Sequence, residues 1–354
     1  MISKPNIIFS LFFFVYPFGL YADINFISHG WEVFNRISDS RVASLSHSTV
    51  AYPIKSSGIS LVNPALSSVY NEKIGLTHQS RIAGMVNSEL ISFNKSISDS
   101  SWANFALLYE GVNGIPDTRN ALLDWGNDGV FGTFDPGENN GILDQGERLD
   151  ANKISYFSQN QFGLFGAISK PYKSWKLGLG IKLLFHTLDN NYAIGTGMNF
   201  GAYRSFKNGT SIGVVLYDAP SSGVLWDNGD IELTPSSFSV GAHHLFFIEK
   251  YQIAINPLYR LDFLMKERTI DSQLFLDAIP IEISGGIETV YKRKIFIRGG
   301  FYPSGTLATG LGMLWENMTI DYAYLIDNSI SGIDKNHIIT ISLSLEWIKK
   351  KVFN

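Results

Sequence analysis

The end of the chain alternates apolar and polar side chains, and this alternation restricts its fold more than any other sequence feature. Within residues 311–347, the runs 318–324 and 339–347 place bulky apolar residues at every second position, with mostly small or polar residues between them. A period of two puts the two sets on opposite faces of a β-sheet. Such strands fit either a barrel with lipid outside and a polar lumen or a soluble antiparallel sheet with one buried face.

The start of the chain has the features of an export signal. Lys4 precedes an apolar run over residues 7–20, and Leu20-Tyr21-Ala22 offers a cleavage site. This pattern predicts a signal peptide over residues 1–22, because the run is too short for a spanning helix. The chain has no Cys, which excludes disulfides, thiol catalysis and lipid attachment to a cysteine. Export without an apolar helical span indicates a periplasmic protein, a secreted protein or an outer-membrane barrel of a Gram-negative bacterium.

Composition favours the barrel. Aromatic residues make up 14% of the chain, glycine occurs 33 times, and charged residues reach only 17%, whereas soluble domains are about one quarter charged. The net charge of -4 argues against a nucleic-acid partner.

About 14 strands are predicted between residues 73 and 348. The clearest alternation lies in residues 175–188 and 251–263. Short predicted connections such as 316–317 alternate with long ones, which include 111–153, 218–236, 262–280 and 327–336. An up-and-down barrel with short periplasmic turns and long outer loops has this alternation. We therefore predict an all-β transmembrane antiparallel β-barrel of about 14 strands, a small N-terminal plug over residues 23–72 and a basic tail over 349–354.

Several short motifs resemble one family of outer-membrane proteins. The matching stretches are Arg41-Val42-Ala43-Ser44-Leu45, residues 48–51, Asn63-Pro64-Ala65-Leu66, residues 115–122, Asp321-Tyr322-Ala323, Gly332, and His337 with residues 341–345. Together they resemble the PorV/PorQ family, distant relatives of the FadL-type transporters. In this chain Ser44, Ser46 and Ser48 replace a run that is glycine-rich in the family.

The resemblance implies a FadL-like barrel with the N-terminal segment folded into it, so that Asn63, Pro64 and Ala65 would belong to the plug. Some members of the family serve the type IX secretion system, where one binds the signal domain of secreted cargo. FadL relatives carry hydrophobic molecules inward. The resemblance therefore implies either a secretion accessory that binds a secreted protein or a channel for hydrophobic small molecules.

Residues 124–150 combine acidic side chains with glycine and asparagine. Carboxylate and amide oxygens with flexible backbone are what Ca²⁺ prefers. The stretch does not follow the regular EF-hand spacing, and a solvated acidic surface loop explains it as well. We predict a structural Ca²⁺ site in this outer loop, with candidate ligands Asp124, Asp128, Asp135, Asn139, Asp144 and Glu147.

Two further groups of residues are candidates for function. Charged residues on predicted inward faces suggest a salt-bridge network in the lumen: Lys182, Arg260, Asp262, Glu282, Glu288, Arg298 and Asp321. Trp226 and Phe275 lie in predicted outer loops, where a protein partner or a hydrophobic molecule would contact them. The motifs of serine hydrolases, zinc proteases and P-loop enzymes do not occur, so we expect no enzymatic activity. The remaining expected partner is the lipid of the outer membrane.

Overall fold

Antiparallel strands form a closed barrel around an internal N-terminal segment. The computed structural model describes residues 31–68, 72–98, 100–265, 273–276, 279–326 and 335–352. The predicted signal peptide, residues 1–22, lies outside these ranges, as does most of the predicted loop 327–336, including Gly332. No helix within the described ranges is long and apolar enough to cross a membrane.

Fourteen strands make up the wall. They are β1 Lys73–Arg81, β2 Val86–Ser98, β3 Ser101–Asp117, β4 Ser155–Tyr172, β5 Trp175–Leu188, β6 Asn191–Ser205, β7 Thr210–Trp226, β8 Ile231–His244, β9 Ile253–Leu264, β10 Ile279–Tyr291, β11 Ile295–Phe301, β12 Leu307–Trp315, β13 Met318–Ile326 and β14 Lys335–Ser344. Two short strands, Phe246–Ile248 and Leu274–Leu276, pair alongside β9 and β10, and Leu122–Leu123 pairs with Arg148–Leu149 in the loop after β3.

Each wall strand pairs with both sequence neighbours, and β1 pairs with β14 to close the ring, with Lys73 opposite Ser344. Closure leaves no unpaired sheet edge, which is the condition for strands to span a membrane. The prediction of an antiparallel barrel of about 14 strands is confirmed. Both ends of the strand array, Lys73 and Ser344, lie at the end of the barrel that carries most of the short turns.

The outer surface is apolar. Outward positions of β5 alternate with inward ones, and Leu177, Ile181, Leu183 and Phe185 are each 44–47% exposed, whereas Lys182 between them is buried. Aromatic residues stand near both rims, such as Trp315 at the short-turn end and Tyr192 at the other. An apolar band bounded by aromatic girdles is the exterior of a membrane-spanning barrel.

The segment 31–68, which we call the plug segment, lies inside the barrel. It contains the short helices α1 Glu32–Arg36 and α2 Ser40–Ala43, followed by three 3₁₀ turns at Thr49–Ala51, Ile59–Leu61 and Pro64–Ser68. Its apolar side chains are buried, as shown by Val33, Leu45 and Val50, each 0% exposed. Further 3₁₀ turns outside it are Ile82–Gly84, Ala151–Lys153 and Glu249–Tyr251.

The predicted loop 111–153 begins too early, because β3 continues to Asp117. Two further boundary predictions are wrong. The alternation predicts a strand through Trp347, but β14 ends at Ser344 and the helix α3, Leu345–Val352, follows it. The ladder partners of β14 end here, with Leu343 opposite Met318, so the backbone beyond them satisfies its hydrogen bonds as a helix. The predicted basic tail 349–354 is therefore helical as far as Val352.

The second wrong boundary concerns the predicted outer loop 218–236. There β7 continues to Trp226, and β8 begins at Ile231. The cause is an interruption inside β7, described below, which breaks the alternation without ending the strand.

Candidate functional site

A buried ionic cluster fastens the plug segment to the wall. Arg41 donates two hydrogen bonds to the carboxylate of Glu288 on β10, at 2.8 and 2.7 Å. Arg298 Nε donates to the same carboxylate at 2.7 Å, and its Nη2 lies 2.7 Å from Asp321. Tyr52 Oη donates to Glu288 at 2.6 Å. Because Glu288 is fully buried, its charge depends on these donors.

The motif Asn63-Pro64-Ala65 rests against glycines of the wall. Asn63 Nδ2 donates to the carbonyl of Val50 at 2.8 Å, and its Oδ1 accepts from the Ala65 amide at 3.0 Å. A Cβ atom at Gly178 of β5 would overlap the backbone of Pro64, and one at Gly201 of β6 would overlap Asn63. Only glycine gives the backbone of the motif room to lie this close to the strands.

Beyond this contact, a cavity of about 230 Å³ lies between the plug segment and the wall. Phe34, Ile37, Leu61 and Val62 give it an apolar side. The facing wall is polar and includes Lys182, Tyr217, Asp218, Ser237 and Arg260. We call it the inner cavity.

A second cavity of about 330 Å³, the outer cavity, lies toward the long-loop end, where Leu264 and Met265 line it. Asn35, Asp218 and Ser237 border both cavities. The two spaces therefore meet at the same three residues.

The charges that line the inner cavity are paired. Lys182 Nζ donates to Asp218 Oδ1 at 2.8 Å. Arg260 Nε donates to Asp262 Oδ1 at 2.8 Å, and its Nη1 donates to the carbonyl of His47 at 3.0 Å. Burial, together with the nearby Arg260 guanidinium, lowers the pKa of the His47 imidazole to about 4. This histidine is therefore neutral at pH 7.

The structure thus places the predicted lumen residues inside the barrel in two groups. Lys182 and Arg260 line the inner cavity, with Asp262 paired to Arg260 and Glu282 lining the outer cavity, while Arg298 and Asp321 belong to the cluster around Glu288. Sequence reasoning missed Arg41 and Asp218 as ionic partners. Arg41 lies 247 positions from Glu288, and Asp218 falls where the alternation stops.

Asp218 belongs to a bulge in β7. Between the pairs Thr196–Gly223 and Phe200–Leu216, β6 has the three residues 197–199 and β7 has the six residues 217–222. On the other side the ladder between β7 and β8 is also interrupted, at Ser236. Side chains replace part of the lost ladder, since Asn199 Oδ1 accepts from the Asp218 amide at 3.1 Å. The wall is thus held by side chains beside both cavities.

The carboxylates of the acidic loop, residues 124–150, accept hydrogen bonds from backbone amides of the same loop. Asp124 accepts from the amides of Asn140 and Gly141 at 3.2 and 2.7 Å, and Glu147 accepts from those of Gly126 and Asp144 at 2.7 and 2.9 Å. The other candidate ligands follow the same pattern. Asp128 accepts from the Val130 amide, Asp135 from the Asp128 amide and Asp144 from the Asn140 side chain, while Asn139 has a positive φ of 60°.

No cluster of three His, Cys, Asp or Glu residues suited to a metal occurs in the part of the chain that the structure describes. The Ca²⁺ site therefore stays a prediction.

The two predicted outer-loop residues lie in strands. Trp226 ends β7, and its indole Nε1 donates to Glu232 at 2.8 Å. Phe275 lies in the short strand Leu274–Leu276, opposite Pro280. Apolar side chains in the loop between β3 and β4 are more exposed. The prediction missed these side chains because acidic residues dominate the pattern of that loop. Phe131 is 69% exposed and Phe134 is 89% exposed.

A closed barrel with an apolar belt, a charged lumen and an internal plug is of the class that spans membranes. No family model matches the sequence, and no curated protein matches it. Among solved structures, the fold resembles the toluene transporter TbuX of Ralstonia pickettii. Identity is 12%, coverage is 87% of this chain and 98% of that one, and the TM-score is 0.52.

The toluene transporter TodX of Pseudomonas putida is also similar, at 10% identity over 86% of this chain and 96% of TodX, with a TM-score of 0.50. At these identities the likeness shows the shared barrel fold alone.

Proposed function

We propose that this protein is an outer-membrane channel of a Gram-negative bacterium that admits small, mainly apolar molecules. The observation that carries the proposal is the pair of neighbouring cavities beside the β7 bulge, which share Asn35, Asp218 and Ser237 as lining residues. A cavity of about 150 Å³ is known to hold benzene, so the inner cavity, at about 230 Å³, has room for a molecule of that size. The shared fold of the two toluene transporters supports the same substrate class.

The route follows from the position of the cavities. A molecule enters from the long-loop end through the outer cavity, which Leu264 and Met265 border, and reaches the apolar side of the inner cavity at Phe34 and Leu61. The ionic clusters and the plug segment obstruct the lumen below. The bulge at Asp218 offers the least continuous part of the wall, and we propose that the molecule leaves there. No catalytic role is part of the proposal.

The first test fills the inner cavity. Leu61→Trp adds volume on its apolar side, while Leu183→Trp adds the same volume on the outer, lipid-facing surface. We expect Leu61→Trp to slow the uptake of toluene into proteoliposomes at least tenfold and Leu183→Trp to leave it unchanged. Equal uptake by both variants, with each barrel shifting on an unboiled gel, would refute the assignment of the cavity.

The second test closes the β8 side of the bulge. Deleting Ala219 and Pro220 leaves one residue of β7 opposite Ser236, which allows the ladder with β8 to run without interruption, and reduces the β6 side to four residues of β7 opposite three. Toluene should still bind the inner cavity but no longer cross the wall. If transport stays at the original rate, the bulge is not the exit.

A second candidate function is a PorV/PorQ-like secretion accessory or partner-binding scaffold. The exposed Phe131 and Phe134 in the long loop, together with the exposed Val130, favour it, since exposed apolar residues grouped on an outer loop suit contact with another protein. Replacing both phenylalanines with serine should reduce the amount of secreted protein reaching the medium and leave toluene uptake intact. An unchanged set of secreted proteins would exclude this candidate.

A further inference from the structure

Basic side chains lie beside aromatic rings at the short-turn end of the barrel. Four such pairs follow consecutive turns, and we call them the basic-aromatic belt. They are Lys173 with Tyr172, Arg204 with Trp175, Lys250 with Tyr251 and Lys292 with Tyr291, at 5.5, 5.8, 5.4 and 5.1 Å from cation to ring centroid. Each distance is within the range of a cation–π contact.

The rings of the belt continue the outer wall of the barrel. Tyr172 shares the outward face of β4 with Leu164 and Ile168, and Tyr291 shares that of β10 with Ile287. Strand alternation directs such residues away from the lumen. Tyr172 and Tyr291 therefore occupy the last outward positions before their turns, with Lys173 and Lys292 just beyond them, whereas Tyr251 lies in the 3₁₀ turn Glu249–Tyr251 and Trp175 begins β5.

Charge differs sharply between the two ends of the barrel. Further basic residues crowd the short-turn end: Lys170, Lys207, Arg293, Lys294, Lys349, Lys350 and Lys351. Acidic residues crowd the long-loop end: Asp124, Asp128, Asp135, Glu138, Asp144, Glu147, Asp150, Asp189, Asp227 and Asp230. Of the belt cations, Lys173, Lys250 and Lys292 are exposed. The short-turn end also holds Glu72, Glu249, Glu316 and Glu346, of which Glu72 and Glu346 pair with Lys349 and Lys350, so basic residues still outnumber acidic ones at the rim that carries the belt.

We propose that the basic-aromatic belt binds the headgroups of anionic phospholipids in the membrane leaflet at the short-turn end. The inference rests on the proposed membrane location but not on the channel activity. Lysine and arginine donate to phosphate oxygens, and their aliphatic stems lie along apolar surface while the charges reach the headgroup layer. Tyrosine and tryptophan favour the same layer, because one end of each ring is apolar and the other polar.

The position of the belt favours lipid over an acidic protein. A soluble partner would dock on the tips of the turns, whereas these rings lie on the lipid-facing side, in register with the apolar wall. The pairs also recur at four turns around the barrel rather than in one patch. A repeated arrangement along the rim matches a layer of headgroups.

The test compares two variants that lose the same charge. The belt variant carries Lys173→Gln, Arg204→Gln, Lys250→Gln and Lys292→Gln. The matched control carries Arg119→Gln, Arg148→Gln, Lys153→Gln and Lys335→Gln, which all lie at the long-loop end. Each protein is reconstituted with brominated phosphatidylglycerol or brominated phosphatidylcholine, and the quenching of tryptophan fluorescence gives the relative affinity for the two lipids.

One basic residue near an anionic membrane surface contributes about a fivefold preference. We expect the belt variant to lose at least tenfold of the preference for phosphatidylglycerol, and the control to keep it. Raising the salt concentration should weaken the preference of the original protein, since exposed charges are screened.

Two outcomes would overturn the proposal. Equal lipid preference in all three proteins would show that the belt plays no part in binding. An equal loss of preference in both variants would show that only the net charge of the protein matters. The measurement separates this inference from the channel function. A selective belt in a protein that does not admit toluene refutes only the channel, and toluene uptake without lipid preference refutes only the belt.

Discussion

Removal of Arg41 tests whether the ionic cluster holds the plug segment in the barrel. Arg41→Met deletes two charge-assisted hydrogen bonds to Glu288 and leaves that buried carboxylate with Arg298 and Tyr52. Breaking a buried pair by removing one partner costs about 3–5 kcal/mol. If the plug segment opens locally, its opening equilibrium should increase by about two to three and a half orders of magnitude.

Hydrogen–deuterium exchange in detergent measures this opening. Amides of residues 40–52 should exchange faster in Arg41→Met, while those of β13 should keep their protection. Arg119→Met serves as the control, because Arg119 is exposed and pairs with Asp117 and Asp189 at the long-loop end, away from the plug segment. An increase below about threefold at residues 40–52 would refute the role of the pair, and equal acceleration in β13 would show that the whole barrel, rather than the plug segment, depends on it.

The double variant Arg41→Met with Glu288→Gln refines the reasoning. Arg298 keeps Asp321 as a partner at 2.7 Å, so the second substitution removes the negative charge of Glu288, which has lost one of its two arginines, without leaving Arg298 alone. Neighbouring residues in one network couple by about 0.5–3 kcal/mol. We therefore expect the double variant to be less destabilised than the sum of the single ones, and strict additivity would contradict a direct interaction.

Three further predictions concern the wall, the pH response and the acidic loop. Gly178→Val should displace the plug segment, seen as faster exchange at residues 59–68, whereas Gly166→Val, which faces lipid and has its nearest neighbour 4.0 Å from the new Cβ, should not. Burial lowers the pKa of His47 from its ordinary value of 6.5 to about 4, so between these pH values the unfolded chain binds a proton that the folded protein does not. Stability should fall as the pH drops from 6.5 to 4, by at most about 3 kcal/mol, and His47→Asn should abolish this part of the pH dependence of the urea midpoint. Millimolar Ca²⁺ should protect residues 124–150 from protease, and unchanged cleavage rates would remove the predicted calcium site.

The barrel was accessible from the sequence because alternation with a period of two is a local property. The alternation directly identifies the outward-facing residues of β5 and of the last strands. The closed barrel was predicted from the number of strands and from the alternation of short turns with long loops. The interruption of β7 was not accessible, because Asp218-Ala219-Pro220 has the composition of a turn. The pairings of Ser221 with Pro235 and of Gly223 with Thr196 show that the strand resumes. Likewise, the change to helix at Leu345 depends on where the partner strands end.

The site depends on a fit between distant parts of the chain that no local pattern contains. Wall glycines such as Gly213 and Gly310 touch small or backbone groups of the plug segment, at Val50 and Ser44. Because the lumen of a barrel with a fixed number of strands has a fixed width, a plug can approach the wall only where both surfaces are small.

The plug segment is therefore rich in serine for the same reason that the facing wall positions are glycine: both surfaces must be small for the two to pack closely. Where the wall instead carries Lys182, Tyr217 and Arg260, their side chains hold the plug segment away. The inner cavity lies at this change from glycine to large polar residues, so the same alternation that defines the barrel also determines where it can hold a ligand.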